Sequence, residues 1–231
     1  MDVTERQGLA EFLIRCGVGP RRAGDLSALE RLYRDLVAAN ETTNLTAVTA
    51  EADYWNLHVA DSLAVGLAVP ELLAGAATAA DVGCGAGFPM LPLAWANGEL
   101  RVTGVESRGR KADFVRRQIA AMGLAHAAVV TGRAREVARL PEHAGRYDAV
   151  LLRAVGPPGK LIRECRGLLA PAAGAKLIFY TTPVAAAEQR AEAAREAVKF
   201  GLALRESQTI SLPAGSGERQ FLIVERAALP H

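Results

Sequence analysis

Asp81-Val82-Gly83-Cys84-Gly85-Ala86-Gly87-Phe88-Pro89 sets an acid and a valine before three glycines at alternate positions and closes on a proline. The apolar run ATAADV in front of it reads as a strand ending at Val82. Pro89, with its fixed φ and no amide hydrogen, suits the first turn of a helix. Glycine tolerates positive φ, and without a Cβ it lets a ligand approach the backbone closely. A glycine turn between a strand and a helix is a weak signal by itself, and two carboxylates sharpen it. Asp81 precedes the glycines, and Glu106 stands 19 residues beyond Gly87 at the tip of the next apolar run, RVTGVE. An acid at the end of the second strand can accept both hydroxyls of a ribose, so the pattern predicts a nucleoside cofactor.

Outward from that turn the texture is consistent. After Gly75, short apolar runs (ATAADV, RVTGVE, AAVVT, YDAVLL, AKLIFY) alternate with helical patterns, which predicts a parallel sheet with helices on both faces. The last two runs, RESQTISL and QFLIVER, are split by Pro213 to Gly217 and read as an antiparallel hairpin at the sheet edge. Residues 1 to about 70 read instead as a helical extension. Apolar residues at helical spacing predict one helix from Ser27 to Val37, with Asp25 or Ser27 as N-cap, and another runs from Asp53 to Val69, ended by Pro70. Between them, Asn40 to Asn44 is polar and turn-like. Ala185 to Val198, rich in alanine and charge, reads as a solvated helix. The division is therefore an extension over 1–70 and a cofactor-binding domain over 71–231, expected to form one compact unit.

Composition bounds the function. With half of its 231 residues apolar, the chain can bury a substantial core. No run approaches the roughly 18 uncharged apolar residues of a membrane span, and the polar, acidic N-terminus is no secretory signal. Cys16, Cys84 and Cys165 lie far apart, which suggests neither a disulfide framework nor a zinc site. A cytoplasmic protein without a metal is expected. A net charge of +2 does not announce nucleic acid, so RNA contacts must come from local clusters.

The spacing of the glycines selects the cofactor. Dinucleotide enzymes use GxGxxG to seat a pyrophosphate on a helix N-terminus, whereas this turn is GxGxG with an acid before it. S-adenosylmethionine has no phosphate and carries an ammonium group that Asp81 and loop carbonyls complement. With five strand-helix units and a terminal hairpin, the expectation is a Rossmann-like Class I methyltransferase fold with a mostly parallel seven-stranded sheet. A dinucleotide oxidoreductase and a ligand-free α/β interaction domain are the alternatives.

NLTAVTAEADYWNLHVADSLAV at 44–65, followed by DVGCGAGFPMLPLA at 81–94, resembles the bacterial glucose-inhibited division protein B family. Further similar stretches are VESRGRKADFVRR at 105–117, GRAREV at 132–137, YDAVLLRAV at 147–155 and ERQFLIVER at 218–226. The resemblance implies a 16S ribosomal RNA methyltransferase that forms 7-methylguanosine from S-adenosylmethionine, a monomer whose partner is the small-subunit RNA or the assembling subunit. It implies cofactor contacts at Gly83, Phe88, Glu106, Ala134, Arg135 and Arg153, to which the reading of the glycine turn and the second strand's tip adds Asp81, Cys84, Gly85, Gly87 and Ser107. Arg153 and Arg133 become the catalytic candidates, beside cofactor and substrate, and Asn44, His58, Asp61 and Arg219 the substrate-binding ones. The chain departs from the family pattern at Cys84 (often threonine), Met90 (usually glycine) and Tyr180-Thr181 (lysine-glycine in many).

Bland readings stand beside these. Arg153 can pair with a carboxylate, His58 can be a helix histidine, Cys84 can merely fit the turn, and Phe88, Tyr54 and Trp55 can be core. Arg108, Arg110, Lys111, Arg116 and Arg117, with Arg133, Arg135 and Arg139, can form a phosphate-binding rim or a solvated face. The implied chemistry needs no general base, because N7 of guanine carries no proton near neutrality. Alignment is what remains for the enzyme, and an arginine fork suits the O6 and N7 edge. A methyltransferase of another RNA or of a small metabolite, and a non-catalytic RNA-binding module, are the competing functions.

Overall fold

The computed structural model describes residues 1–226. Its sheet is built from β1 (Thr78–Val82), β2 (Arg101–Glu106), β3 (Ala127–Thr131), β4 (Ala149–Arg153), β5 (Lys176–Thr181), β6 (Leu202–Glu206), β7 (Ile210–Ser211) and β8 (Glu218–Arg226). Seven strands form the main path in the order β3-β2-β1-β4-β5-β8-β6, and the two-residue β7 pairs with β8 off it. The first five are parallel, with Asp81 opposite Gly104 and Leu151, and β8 runs antiparallel to both β5 and β6. The terminal hairpin is thus present, with one difference from the sequence expectation. Its apolar second arm, β8, is inserted inside the sheet, and the more polar β6 takes the edge, which leaves the run Phe221 to Val224 fully buried.

Alternation along the strands splits the core into two layers. Ala79, Leu151, Ile178, Phe221 and Ile223 face one layer, while Ala80, Val150, Leu177, Leu222 and Val224 face the other. The second layer is closed by α9 (Pro158–Cys165) and α10 (Pro183–Val198), the latter showing the sheet only a stripe of Ala186, Ala193 and Ala197. The first is closed by α6 (Met90–Ala96) and α7 (Gly109–Ala121), and by the extension. A short helix, α8 (Ala134–Val137), follows β3.

The extension comprises α1 (Val3–Arg15), α2 (Pro20–Gly24), α3 (Ser27–Thr43), α4 (Glu51–Asp53) and α5 (Asp61–Leu63), with a π-helical segment, Tyr54–Ala60, between the last two. Leu9, Phe12 and Leu13 of α1 and Leu29, Leu32 and Leu36 of α3 join the same core layer as the sheet, so the boundary near residue 70 is no break in packing. Two details depart from the sequence reading. Helix α3 continues through the polar stretch to Thr43 because the side chain of Asn40 accepts hydrogen bonds from Leu45 N (2.7 Å) and Thr46 N (2.9 Å), and Asn44 closes the helix at φ 48°. The helix expected over 53–69 is instead widened into a π turn at Tyr54–Ala60 and tightened to 3₁₀ geometry at Ala64–Leu67.

Candidate active site

The carboxyl ends of β1, β2 and β4 bring the expected residues to one edge of the sheet. Gly83, Gly85 and Gly87 all have positive φ, at 71°, 55° and 93°. The three serve different purposes. A Cβ at Gly83 would meet Val155 at 2.3 Å and one at Gly87 would meet Leu91 at 2.3 Å, so those two are required by packing. At Gly85 the nearest atom would be the Gly83 carbonyl at 3.7 Å, so this residue leaves a clear face to an approaching ligand.

The two acids flank that face differently. Glu106 turns its carboxylate into the loop, where Oε2 accepts from Gly85 N at 3.0 Å and Oε1 from Arg108 N at 2.8 Å. The Ser107 hydroxyl lies 3.5 Å from the same Oε1. A carboxylate has about four acceptor positions, so ribose hydroxyls can still be received. Asp81 is fully buried; its Oδ2 accepts from Met90 N at 3.0 Å, while Oδ1 has no protein partner. Burial pushes its pKa up to about 7, aided by Glu106 and opposed by the Met90 amide and Arg153. An orphaned buried carboxylate oxygen at the head of the glycine turn is a partner an ammonium group can satisfy, and Glu106 is the acceptor a ribose needs. These residues therefore fit an adenosyl amino-acid cofactor.

Other predicted cofactor residues fall differently. Cys84 sends its side chain into the core, where a Cβ on Gly104 would lie 2.8 Å from its sulfur, and burial raises its pKa far above the usual range. Only its backbone lines the loop. Phe88 is buried and stacks on His58 at 4.3 Å with planes 7° apart, with Tyr54 edge-on at 6.0 Å. Ala134 and Arg135 open α8, with Arg135 exposed.

Asp61, Arg153 and Arg219 converge, although 158 residues separate the first from the last. Asp61 is 2% exposed; Oδ1 accepts from Arg219 Nε at 2.5 Å and Oδ2 pairs with Arg153 Nε at 2.9 Å. Arg153 Nη2 donates to the Leu57 carbonyl at 2.5 Å, and the Tyr180 hydroxyl donates to the Ser62 carbonyl at 3.1 Å. Side chains from β4, β5 and β8 thus all fasten on the segment 57–62. Beside them opens a cleft of about 370 Å³ lined by Arg153, Ala154, Tyr180, Thr181, Gln189 and Arg219. Ala154 holds φ 54°, a left-handed conformation that costs an alanine roughly 1–2 kcal/mol and that clusters at functional positions. Neither Ala154 nor Gln189 carries a sequence signal that points to the cleft.

His58 lies behind this cluster. Its Nε2 is 3.0 Å from the Thr46 hydroxyl, and burial, reinforced by the charge of Arg153, holds its pKa down at about 3. Asn44 is exposed at the end of α3. Arg133 is not brought to the cleft. It caps α8 beyond β3, an edge strand three positions from β4, or about 14 Å at the usual strand spacing, and its side chain is exposed. The expected basic rim is partly consumed by the fold, since Lys111 Nζ donates to Leu45 O at 3.2 Å and Arg116 pairs with Asp113 at 2.6 Å. Among the described residues no cluster of His, Cys, Asp or Glu is placed to hold a metal, and no helix is long and apolar enough to cross a membrane.

A sheet of this order, with a glycine turn after β1 and an acid at the tip of β2, defines a Rossmann-like Class I methyltransferase. Solved structures share the fold: a putative O-methyltransferase from Klebsiella pneumoniae has a TM-score of 0.59 over 87% of this chain and 90% of that one, at 15% identity. An S-adenosylmethionine-dependent methyltransferase from Aquifex aeolicus has a TM-score of 0.50 over 68% and 87%, at 16% identity. The GidB family model, described as rRNA small subunit methyltransferase G, matches residues 25–210. Curated relatives called ribosomal RNA small subunit methyltransferase G include one from Pelotomaculum thermopropionicum, 37% identical over 85% of this chain and 80% of that protein. Another, from Halalkalibacterium halodurans, is 34% identical over 98% and 91%. The chain belongs to the rRNA small subunit methyltransferase G family.

Proposed function

We propose that this protein transfers a methyl group from S-adenosylmethionine to N7 of a guanine in small-subunit ribosomal RNA, acting in the cytoplasm as a monomer on the RNA or the assembling subunit. The observation that carries the reading is the pairing of the unpartnered Asp81 oxygen and the Glu106 carboxylate around Gly85 with an arginine-lined cleft one strand away. The cofactor, when bound, supplies a sulfonium methyl that a lone pair can displace.

The chain's own residues then bind and align. Asp81 receives the ammonium group, Glu106 the ribose hydroxyls, and the backbone around Gly85 the body of the cofactor. Among the described residues Arg153 Nη1 and Arg219 Nη2 have no hydrogen-bond partner, so each can donate to the O6 edge of guanine or to an adjoining phosphate. O6 suits them better than N7, where a cation would oppose the positive charge that develops on the base. No side chain has to remove a proton from N7, and His58, buried with its pKa held down at about 3, is too weak a base to be called on for one. Holding the two reactants in line is the main contribution, worth several kcal/mol, and the fastening of segment 57–62 serves that end.

Mass-spectrometric mapping of 7-methylguanosine in small-subunit RNA from cells with and without the protein tests the proposal. The expected result is one modified guanine that disappears with the gene and returns with the purified enzyme and cofactor. An unchanged map sinks the RNA assignment.

A further inference from the structure

A concentration of unpaired positive charge lies away from the catalytic cleft. Helices α3 and α7 pack antiparallel: Lys111 meets Leu45 near the glycine turn, and Gln118 Nε2 donates to Asp35 Oδ2 at 3.0 Å midway. At the far end, where α6 and α7 finish and α3 begins, a cleft of about 640 Å³ opens, lined by Arg21, Arg22, Arg31, Asp25, Trp95 and Met122. Arg22 is fixed there, donating to the Trp95 carbonyl and lying 5.7 Å over its ring. Asp25, the one carboxylate in the lining among the described residues, accepts from the Ser27 amide at 3.1 Å. Arg21, Arg22 and Arg31 have no ion-pair partner among the described residues, and neither do Arg110 and Arg117, exposed two turns apart on α7.

We propose that the α3–α7 seam, ending in this arginine cleft, is a second RNA-contact surface that takes phosphates of the substrate RNA flanking the target nucleotide. The inference rests on the RNA reading above and adds a place to it. Helix α7 has 13 residues, about 20 Å, so a strand leaving the glycine-turn edge past Arg110 and Arg117 reaches the cleft within a few nucleotides. Guanidiniums match phosphate in fork geometry, and one already held by Trp95 loses little freedom on binding. An acidic protein surface is the rival occupant, and the test separates it.

Arg21→Glu with Arg31→Glu reverses two exposed charges outside the cofactor and substrate residues, and Arg21→Lys with Arg31→Lys keeps them. Filter binding to naked small-subunit RNA and to assembled small subunits is measured across salt concentrations, after wild-type methyl transfer to that RNA or subunit has been scored and adenosylmethionine binding has verified each variant's fold. The expected result is unchanged cofactor affinity, at least a tenfold loss of RNA affinity near 0.1 M salt, and a salt slope shallower by about 1.4–1.8, at 0.7–0.9 per lost phosphate contact. The lysine variant should keep the wild-type slope. An unchanged slope and affinity in the glutamate variant overturns the inference while leaving the methyltransferase reading intact. A loss confined to assembled subunits overturns it in favour of an acidic protein, and absence of wild-type methyl transfer sinks the underlying reading instead.

Discussion

Asp61→Asn changes one charge and almost no volume, and the geometry says what should follow. The carboxylate is 2% exposed and is shared by guanidiniums that are 17% and 18% exposed. Removing one member of an enclosed ion pair costs about 3–5 kcal/mol, because the remaining charge stays in a poor solvent. Partial access of water to both arginines, and the oxygen that asparagine keeps as an acceptor, reduce this to roughly 2–3 kcal/mol. In a chain of this size 1 kcal/mol moves Tm by about 2–4 °C, so the variant should melt about 4–12 °C lower. Thermal unfolding followed by circular dichroism reads this directly. Because both arginines answer to the same carboxylate, Arg219→Met added to Asp61→Asn should cost less than the sum of the single changes. Methyl transfer to RNA should fall while adenosylmethionine affinity holds, since no Asp61 contact reaches the glycine turn. A Tm within about 2 °C of wild type, or strict additivity in the double variant, refutes the shared-carboxylate account.

Asp81 predicts a pH-dependent cofactor affinity: with its pKa up to about 7, it is increasingly protonated below that pH and cannot complement an ammonium, so Kd should rise as much as tenfold per unit below pH 7 and flatten above it. Calorimetry from pH 5.5 to 8.5 checks this, and Asp81→Asn should bind weakly with no such slope. His58 bears on stability. Its folded pKa near 3 lies below the usual value of 6.5, so the unfolded chain binds the extra proton between those limits; its contribution is complete above about pH 6.5 and is lost as pH falls toward 3, at about 1.4 kcal/mol per unit. Urea unfolding at pH 7 and pH 5 should show that part of the slope missing from His58→Asn. The glycines separate packing from binding: Gly87→Ala must displace Leu91 and should be the less stable protein, whereas Gly85→Ala should lose only about 1–2 kcal/mol of stability from its positive φ and show the greater loss of cofactor affinity. Equal stability in the two alanine variants contradicts that division.

Much of the cofactor end was legible because it is local. Val82 does end β1, Glu106 does close β2, and the glycines do take positive φ, since glycine, proline and alternation act over a few residues. Helix α1 was missed: Asp2 and Glu5 form a reciprocal capping box ahead of Leu9, Phe12 and Leu13, a signal obscured by the polarity of the first ten residues. The extent of α3 was not legible either, because it depends on the Asn40 side chain reaching forward to Leu45 and Thr46. Arg133 and Arg153 look alike in sequence, each following a short apolar run. Strand order distinguishes them: β3 is an edge, so its terminal arginine meets solvent, while β4 is flanked on both sides and its arginine is driven onto Asp61.

That difference ties the helical extension to the cleft proposed for the substrate. A nucleophile without a proton asks little of acid-base groups and much of alignment. Segment 57–62 gives Arg153 two acceptors, Arg219 one and Tyr180 one, and so ties three strands together at the cleft where the proposed reaction needs alignment. The widened turn at Tyr54–Ala60 stands where such departures from regular helix often occur, next to functional groups. Without this fastening, Arg219 would sit on a hairpin with only its Glu218 carbonyl bond to orient it, and Arg153 would be a strand-end charge seeking any carboxylate. If the cleft takes the substrate as proposed, changes along the extension should register in the rate of transfer before they register in the binding of the methyl donor.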